Sequence, residues 1–574
     1  VTALTFIAYV LCLAPAPYLL DSAELATATF GLGVAHPPGE PTALLWGKLF
    51  DLLPLGNVAF RAGLAQAVAG ALAALLVYLL VLEAGTHLDR DNKVGVTARV
   101  LLASGTALIF GFAPGVIIAA NRPEVYALQT ALSLAALWFA LRGWRARDAR
   151  PTLVAGFLIG LGVANHSLVA GLVGLGAVVA ALPLFRERTR TRLCAFAVLA
   201  FAAGMTIHAY LPVRAAALFA SPGHGANQVV WGDARTWEGL RWLVSARTFV
   251  NKQGLVQDQS SPGDLPFLPM EELTEVFALL APLGAYLLLR RRKTRVPAFA
   301  LIVGCAGSLG AALIGGMAPL NPDTRGYLGP AFALLAVLAG LALLAGLTVF
   351  RWTRLRPLLA GLVLLGALSR FPSPSTYPGL HASTAGGTAA DLLSELPPRA
   401  ALFTNHFETA FLVGYHRLVE GSRPDVAWAH LGFAGGPGYG ERLALAEPEL
   451  APVLQAFRQR QLSIETFRDL DGRRPVRVEA DIMTAPELRA ALYPSGSFWA
   501  LRPGGPAKPL AGWLIDQAHG DRQVRGFLAW RTYIDAVWAC ENRQRDRADL
   551  RFADLQRLVP ADERFKALQA ICSR

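Results

Sequence analysis

"AFALLAVLAGLALLAGLTVF", residues 331–350, runs its whole length without a charged side chain. At 1.5 Å rise per residue, such a helix crosses about 30 Å, the thickness of a bilayer's hydrocarbon core. Its upstream flank, "NPDTRGYLGP" (321–330), is a polar turn, and its downstream flank, "RWTRLR" (351–356), is strongly basic. Basic residues collect on the cytoplasmic side of membrane helices, so the two flanks lie on opposite faces. Working outward, the same pattern returns in "AQAVAGALAALLVYLLVL" (65–82), "GFLIGLGVA" (156–164) with "LVAGLVGLGAVVAALPLF" (168–185), and "FALLAPLGAYLLL" (277–289). The 574 residues are 54% hydrophobic and 16% charged, where a soluble domain carries about 25% charge. The chain reads as a mainly α, polytopic transmembrane helix bundle.

Eleven spans are expected, at 1–19, 65–83, 98–118, 124–141, 152–164, 168–184, 193–212, 274–290, 297–317, 328–350 and 356–370. The loops "RGWRARDAR" (142–150), "FRERTRTR" (185–192) and "RRRKTR" (290–295) join 351–356 as cytoplasmic, and "HLDRDNK" (87–93) follows by alternation. The segment 152–164 is short for a crossing, so it and 168–184 form two passes or a re-entrant hairpin. The first run has neither a basic leader nor a small-residue cleavage site and reads as a retained helix with its N-terminus inside. Net charge is +12, but the arginines sit between apolar runs, so they read as topology signals rather than as a nucleic-acid surface.

This threading puts the polar segments on one outer face: residues 19–41, "NRPEVY" (121–126), "NHS" (165–167), the 213–273 loop and 321–327. A transport path would place charges at mid-membrane, whereas these spans are nearly free of them. From residue 371 the apolar runs cease and about 200 residues follow, enough for a further domain. The domains are 1–370, a transmembrane module; 371–515, an extracytoplasmic α/β domain; and 516–574, a helical tail. In the second, 400–405, 425–431, 476–480 and 498–503 read as strands, with a helix over 407–421 giving a β-α-β pattern. Cys12, Cys194 and Cys305 fall in spans; Cys540 and Cys572 fall in the tail, where a bridge and free thiols are both open.

The candidate chemistry lies along the rim. In "LLDSAELATATFGLGVAHPPGEP" (19–41), Asp21 and Glu24 have the spacing of a capping box. The same spacing puts both carboxylates on one helix face, beside apolar surface that would raise their pKa and strengthen a base. His36 precedes two prolines and Gly39, a stiff turn that would fix its imidazole. Glu124 opens a span, His166 tips an apolar hairpin, and Asp323, Arg325 and Tyr327 form a turn; caps and turns account for each singly. Arg61 and Arg214 are interfacial anchors or phosphate ligands. No phosphate-binding loop, zinc-protease motif, C-x-x-C pair or internal repeat is present.

The order of these motifs resembles the bacterial membrane proteins related to protein O-mannosyltransferases, of the GT-C glycosyltransferase fold class. The residues that carry the likeness are D-S-x-E-L at 21–25, "HPPG" at 36–39, "GNVAFR" at 56–61, "EVYAL" at 124–128, "NHS", "YLPVRA" at 210–215, "WGD" at 231–233, "NPDTRGYLGPAF" at 321–332, "PPRAALFTN" at 397–405 and "EGSRPDVAW" at 420–428. Ala23 and Glu40 depart from the pattern, which has Gly and a hydrophobic or aromatic residue there. The resemblance implies sugar transfer, of mannose or another hexose, from a polyprenyl-phosphate donor to an acceptor hydroxyl. The acceptor would be Ser or Thr of exported proteins, and the active site periplasmic, in a bacterial inner membrane. Asp21 would be the base, with Glu24, His36 and Glu124 positioning the substrates or holding a divalent ion if one is used. Arg214, Arg325 or Arg61 would neutralise the lipid phosphate, and attack would invert the anomeric centre. A lipid or cell-wall glycan acceptor, or a non-enzymatic lipid or glycan translocator, are the alternatives.

Overall fold

The structure is a computed structural model that describes all residues except 87, 90–91, 187–189, 222–228, 247–261, 320, 378–383, 480–485, 504–506, 521 and 573–574. The expected loops at 87–93, 185–192 and 213–273 therefore lie partly outside the described residues. The first nine α-helices are α1 (Thr2–Leu11), α2 (Ser22–Gly31), α3 (Pro41–Asp51), α4 (Val58–Gly85), α5 (Val96–Gly111), α6 (Pro114–Ala120), α7 (Tyr126–Ala146), α8 (Arg150–Val163) and α9 (Ser167–Ala181). Helix α4 packs against α1, α5, α7 and the Gly329–Val349 helix. Those faces are largely alanine, and small side chains let membrane helices approach closely where lipid supplies no hydrophobic drive.

All eleven expected spans have helical counterparts, yet fewer are long and apolar enough to cross a membrane. Among the described residues there are five: Val58–Gly85, Ser167–Leu184, Arg192–Ala220, Arg292–Ile314 and Gly329–Val349. The number rises to seven if Val96–Gly111 with Pro114–Ala120, bent by 69°, and Gly263–Leu273 with Glu275–Arg290, bent by 109°, each count as one span. The difference has a local cause. Pro114 opens a new helix after the break at Phe112 and Ala113, and the helix expected at 1–19 ends at Leu11. The Arg192–Ala220 helices leave Phe196, Val198 and Leu199 exposed, an apolar strip suited to lipid rather than to water.

Residues 401–500 contribute a five-stranded sheet with order β2-β1-β3-β5-β4. The strands are β1 (Ala401–Thr404), β2 (Ala427–His430), β3 (Val476–Val478), β4 (Tyr493–Ser495) and β5 (Phe498–Ala500). β1 pairs in parallel with β2 and β3, while β5 runs antiparallel to β3 and β4. The Phe407–Leu418 helix makes the crossover between β1 and β2. The three-residue β4 has no apolar alternation to announce it; a turn and its pairing with β5 define it.

The Phe407–Leu418 helix also joins this sheet to the helical bundle. Leu412 and Tyr415 are fully buried in one cluster with Leu19, Ala23 and Ala26 at the start of α2. The backbone N–H of Ala59 donates to the Tyr415 hydroxyl at 3.2 Å. Four helices close the chain, and Cys540 is bridged to Cys572. The other cysteines, Cys12, Cys194 and Cys305, are free. A bridge over a 32-residue separation constrains the unfolded tail and stabilises it by about 3 kcal/mol. Alkylation of the denatured, unreduced protein is expected to modify three cysteines, and a mass shift for five would remove the bridge.

Candidate active site at the apolar rim

Helix α2 starts where α1 and its following turn end. Asp21 is its N-cap residue, but its side chain makes no capping bond, and Glu24 does not reach back to the helix start. The capping-box reading therefore fails. Glu24 instead reaches across to the "HPPG" turn. Its Oε1 accepts the His36 backbone N–H at 2.8 Å, and its Oε2 lies 2.6 Å from His36 Nδ1. The turn holds that pose: Gly39 N–H returns to the His36 carbonyl at 2.7 Å, and Gly39 has φ +93°, a conformation that favours glycine.

The far side of the imidazole meets two more acids. His36 Nε2 lies 3.4 Å from Glu40 Oε1 and 3.7 Å from Asp21 Oδ2. Glu40 caps α3 in the left-handed region, at φ 48°, uncommon for a residue with a side chain. It is buried, and its Oε2 has no hydrogen-bond partner. Asp21 is the open member, with 30% of its side chain exposed against none for Glu24. Burial alone would lower the His36 pKa, but the carboxylates of Glu40, Asp21 and Glu24 outweigh it and hold the imidazole well above its usual range. Burial also pushes Glu24 and Glu40 up, with His36 opposing the rise in both.

A second charged group adjoins the first. The loop between α6 and α7 carries Arg122, 2% exposed, with Nη2 3.1 Å from Glu124 Oε1 and 3.8 Å from Asp323 Oδ1. Its Nε and Nη1 lack partners, and its guanidinium stands over the Tyr18 ring. Burial raises both Glu124 and Asp323, with Arg122 lowering them in part. Ser22 Oγ donates to the Pro123 carbonyl at 3.0 Å, fixing this loop against α2. Asn165 of "NHS" donates to the Val125 carbonyl at 3.0 Å and pins the loop from the other side. His166 then packs on Tyr327 and Tyr126, with ring centroids 4.6 and 5.7 Å away. Burial pulls the His166 pKa down to about 4, so this ring is neutral, and its Nδ1 has no partner.

Between the two groups lies a cavity of about 160 Å³ lined by Leu20, Asp21, His36, Asp323, Trp231, Phe407, Glu408 and Phe411. Trp231 is brought there by a short parallel bridge between Val34 and Val230, with Val34 N–H donating to the Val229 carbonyl at 2.7 Å. Gly33 permits the approach, because a Cβ there would stand 2.3 Å from the Val229 oxygen.

Of the residues singled out in the sequence, Asp21, Glu24, His36, Glu124 and Asp323 converge, with His166 and Tyr327 packed together nearby. The three arginines do not join them. Arg61 is engaged by Asp51 at 3.0 Å and by the Leu55 and Gly56 carbonyls. Arg214 donates to the carbonyls of Leu32 and Gly31, where a cation complements a helix C-terminus. That end of α2 is about 15 Å from Asp21 at 1.5 Å per residue. Arg325 binds Glu272 at 2.7 Å and Glu271 at 3.0 Å. Arg122 and Glu40 take part instead. Arg122 stood unremarked in "NRPEVY" between two apolar runs, and Glu40 closes the "HPPGE" turn that His36 opens, at the position that departs from the family pattern.

Asp21, Glu24 and His36 also offer one ligand atom each within 4.8 Å of one another, the only such group among the described residues. Two carboxylates and an imidazole are suitable donors for a divalent ion of the magnesium or manganese kind.

A mainly helical chain with several bilayer-length helices, and with a buried cluster of acids, histidine and arginine beside a cavity, belongs to the polytopic membrane proteins. Residues 21–192, which hold most of that cluster, match the family model "Protein O-mannosyl-transferase TMEM260 N-terminal domain". The resemblance to protein O-mannosyltransferases holds over that segment. The mouse protein O-mannosyl-transferase TMEM260 is 30% identical over 227 residues, 38% of this chain and 29% of its own length. The chain thus matches under a third of that relative. ArnT from Cupriavidus metallidurans, solved with undecaprenyl phosphate, aligns at 16% identity and TM-score 0.48, covering 83% of this chain and 92% of that one. The Archaeoglobus fulgidus oligosaccharyltransferase, tethered to an acceptor peptide, aligns at 13% identity and TM-score 0.43, covering 84% and 68%. Scores below 0.5 leave these two likenesses without weight.

His36 gains its acidic partners on folding, so its folded pKa lies above the unfolded value near 6.5. Its stabilisation is complete below about pH 6.5 and is lost as pH rises through the folded value. NMR of histidine-labelled protein is expected to give a His36 midpoint above 6.5 that falls in Glu40→Gln. A midpoint at or below 6.5 would show the ring to be neutral.

Proposed function

We propose that the protein is a membrane glycosyltransferase that passes a sugar from a polyprenyl-phosphate donor to an acceptor hydroxyl. The reading extends to mannose or another hexose as the sugar, Ser or Thr of exported proteins as acceptor, and the outer face of a bacterial cytoplasmic membrane as the place. The observation that carries it is the cavity that Asp21, His36 and Asp323 line together with apolar Leu20, Trp231, Phe407 and Phe411, with Arg122 buried beside Asp323. A lipid-linked donor needs that combination: an apolar approach for the chain, and a polar end for the sugar and phosphate. The match of residues 21–192 to the O-mannosyl-transferase domain supports the same chemistry.

In this mechanism Asp21 accepts the proton of the acceptor hydroxyl as its oxygen attacks the anomeric carbon. The lipid phosphate departs with the bonding electron pair on the opposite side, which inverts the anomeric centre. His36 is fixed by Glu24 and Glu40, and its positive charge orients the neighbouring Asp21. Arg122 takes the role assigned above to Arg214, Arg325 or Arg61 and stabilises the departing phosphate through its buried charge. If a divalent ion is used, Asp21, Glu24 and His36 hold it, and it supplies charge stabilisation of the leaving phosphate.

Purified protein, incubated with a polyprenyl-phosphate mannose and a Ser/Thr-rich peptide, is expected to add a hexose mass to the peptide. Asp21→Asn should lower turnover by about 10²–10⁴-fold while leaving the melting temperature near wild type. Wild-type turnover in folded Asp21→Asn protein would take Asp21 out of the chemistry.

A further inference from the structure

The cavity beside Asp21 has walls from both parts of the chain. Phe407, Glu408 and Phe411 come from the crossover helix of the sheet, while Asp21, His36 and Asp323 come from the bundle rim. Glu408 thus stands across the cavity from the bundle acids, half-buried, and burial pushes its carboxyl above the usual range. The shared core around Leu412 and Tyr415 holds this helix on α2, so the sheet segment is seated on the rim.

A second cavity, of about 220 Å³, lies on the other side of Trp231, which lines both. Its walls include Trp242 and four glycines: Gly232, Gly432, Gly435 and Gly436. Glycines carry no side chain, so that part of the wall presents main chain, while Trp231, Trp242, Phe433 and Tyr439 line the rest. Trp231 is 7% exposed, and its indole Nε1 has no hydrogen-bond partner. An extended peptide brings one N–H and one carbonyl per residue, repeating every 3.3 Å or so. It can be read through its main chain with little regard for its side chains, the way peptide-binding grooves work.

Resting on the glycosyltransferase reading above, we propose that the sheet segment forms the acceptor subsite. A polypeptide acceptor lies along the Gly432–Gly436 loop and past Trp231, and its hydroxyl enters between Asp21 and Glu408. Trp231 then divides the groove: main chain on the loop side, reacting side chain on the acid side. The segment selects the acceptor, while the bundle holds the donor.

Gly435 gives a test that spares both the packing and the chemistry. A Cβ there meets nothing within 4 Å, and φ −80°, ψ −11° suits any residue. Full-length protein in detergent is titrated with a fluorescently labelled Ser/Thr-rich peptide, without donor, and binding is read by polarisation. Wild type and Gly435→Ala are expected to bind alike, and Gly435→Trp at least 10-fold more weakly. Equal peptide binding by Gly435→Trp, or no peptide binding by wild type, would overturn the groove. Peptide binding that follows the expected order, with no hexose transferred to the peptide by wild type once polyprenyl-phosphate mannose is added, would support the groove and remove the glycosyltransferase reading instead.

Discussion

Three carboxylates gather around one imidazole at the boundary of an apolar bundle, and the surrounding structure is arranged to keep them there. Burying a charge is costly unless it is paired, and burying several acids together is costlier still, since like charges repel. His36 resolves this by standing between Glu24 on one ring nitrogen and Glu40 and Asp21 on the other. Without a cation at the centre, burial would push Glu24 and Glu40 further toward their protonated forms. With one, Asp21 stays beside the cavity as the exposed member.

Helix α2 is the element on which that arrangement turns. Its first residues carry the acids, Ser22 ties it to the Arg122 loop, and Arg214 caps its last carbonyls. Its flank packs against the Phe407–Leu418 helix. Every residue from Ser22 to Thr29 is buried, with Phe30 exposed at the end of the helix, so most of α2 is an internal strut between the bundle and the sheet. That explains why a short helix of middling hydrophobicity carries so much of the site. Its position is fixed by contacts on every side rather than by its own propensity.

Much of this was legible in the residues themselves. The apolar runs specify helices, and each of the eleven segments chosen contains one, because a backbone in hydrocarbon must satisfy its hydrogen bonds internally. The strands at 401–404, 427–430, 476–478 and 498–500 were visible as apolar runs bounded by turns. Asp21, Glu24, His36, Glu124 and Asp323 could be picked as acids and a histidine at the ends of such runs. Their joining was inferred from topology alone. Arg61, Arg214 and Arg325 lie apart from the cluster for a physical reason: charge and location identify a cation, but its partner depends on which acid or helix end folding brings near. Arg61 found Asp51, Arg325 found Glu271 and Glu272, and Arg214 found a helix end.

The sequence by itself determined that the chain forms apolar helices with a polar rim and a mixed α/β segment after them, because those follow from local periodicity and composition. Tertiary structure alone decided that Glu24 serves His36 rather than its own helix, that Arg122 is the cation of the site, and that Glu408 looks into the same cavity as Asp21. Such pairings join residues up to several hundred positions apart, and no local pattern encodes them. They arise only when packing sets the distance between two side chains that the sequence keeps far apart.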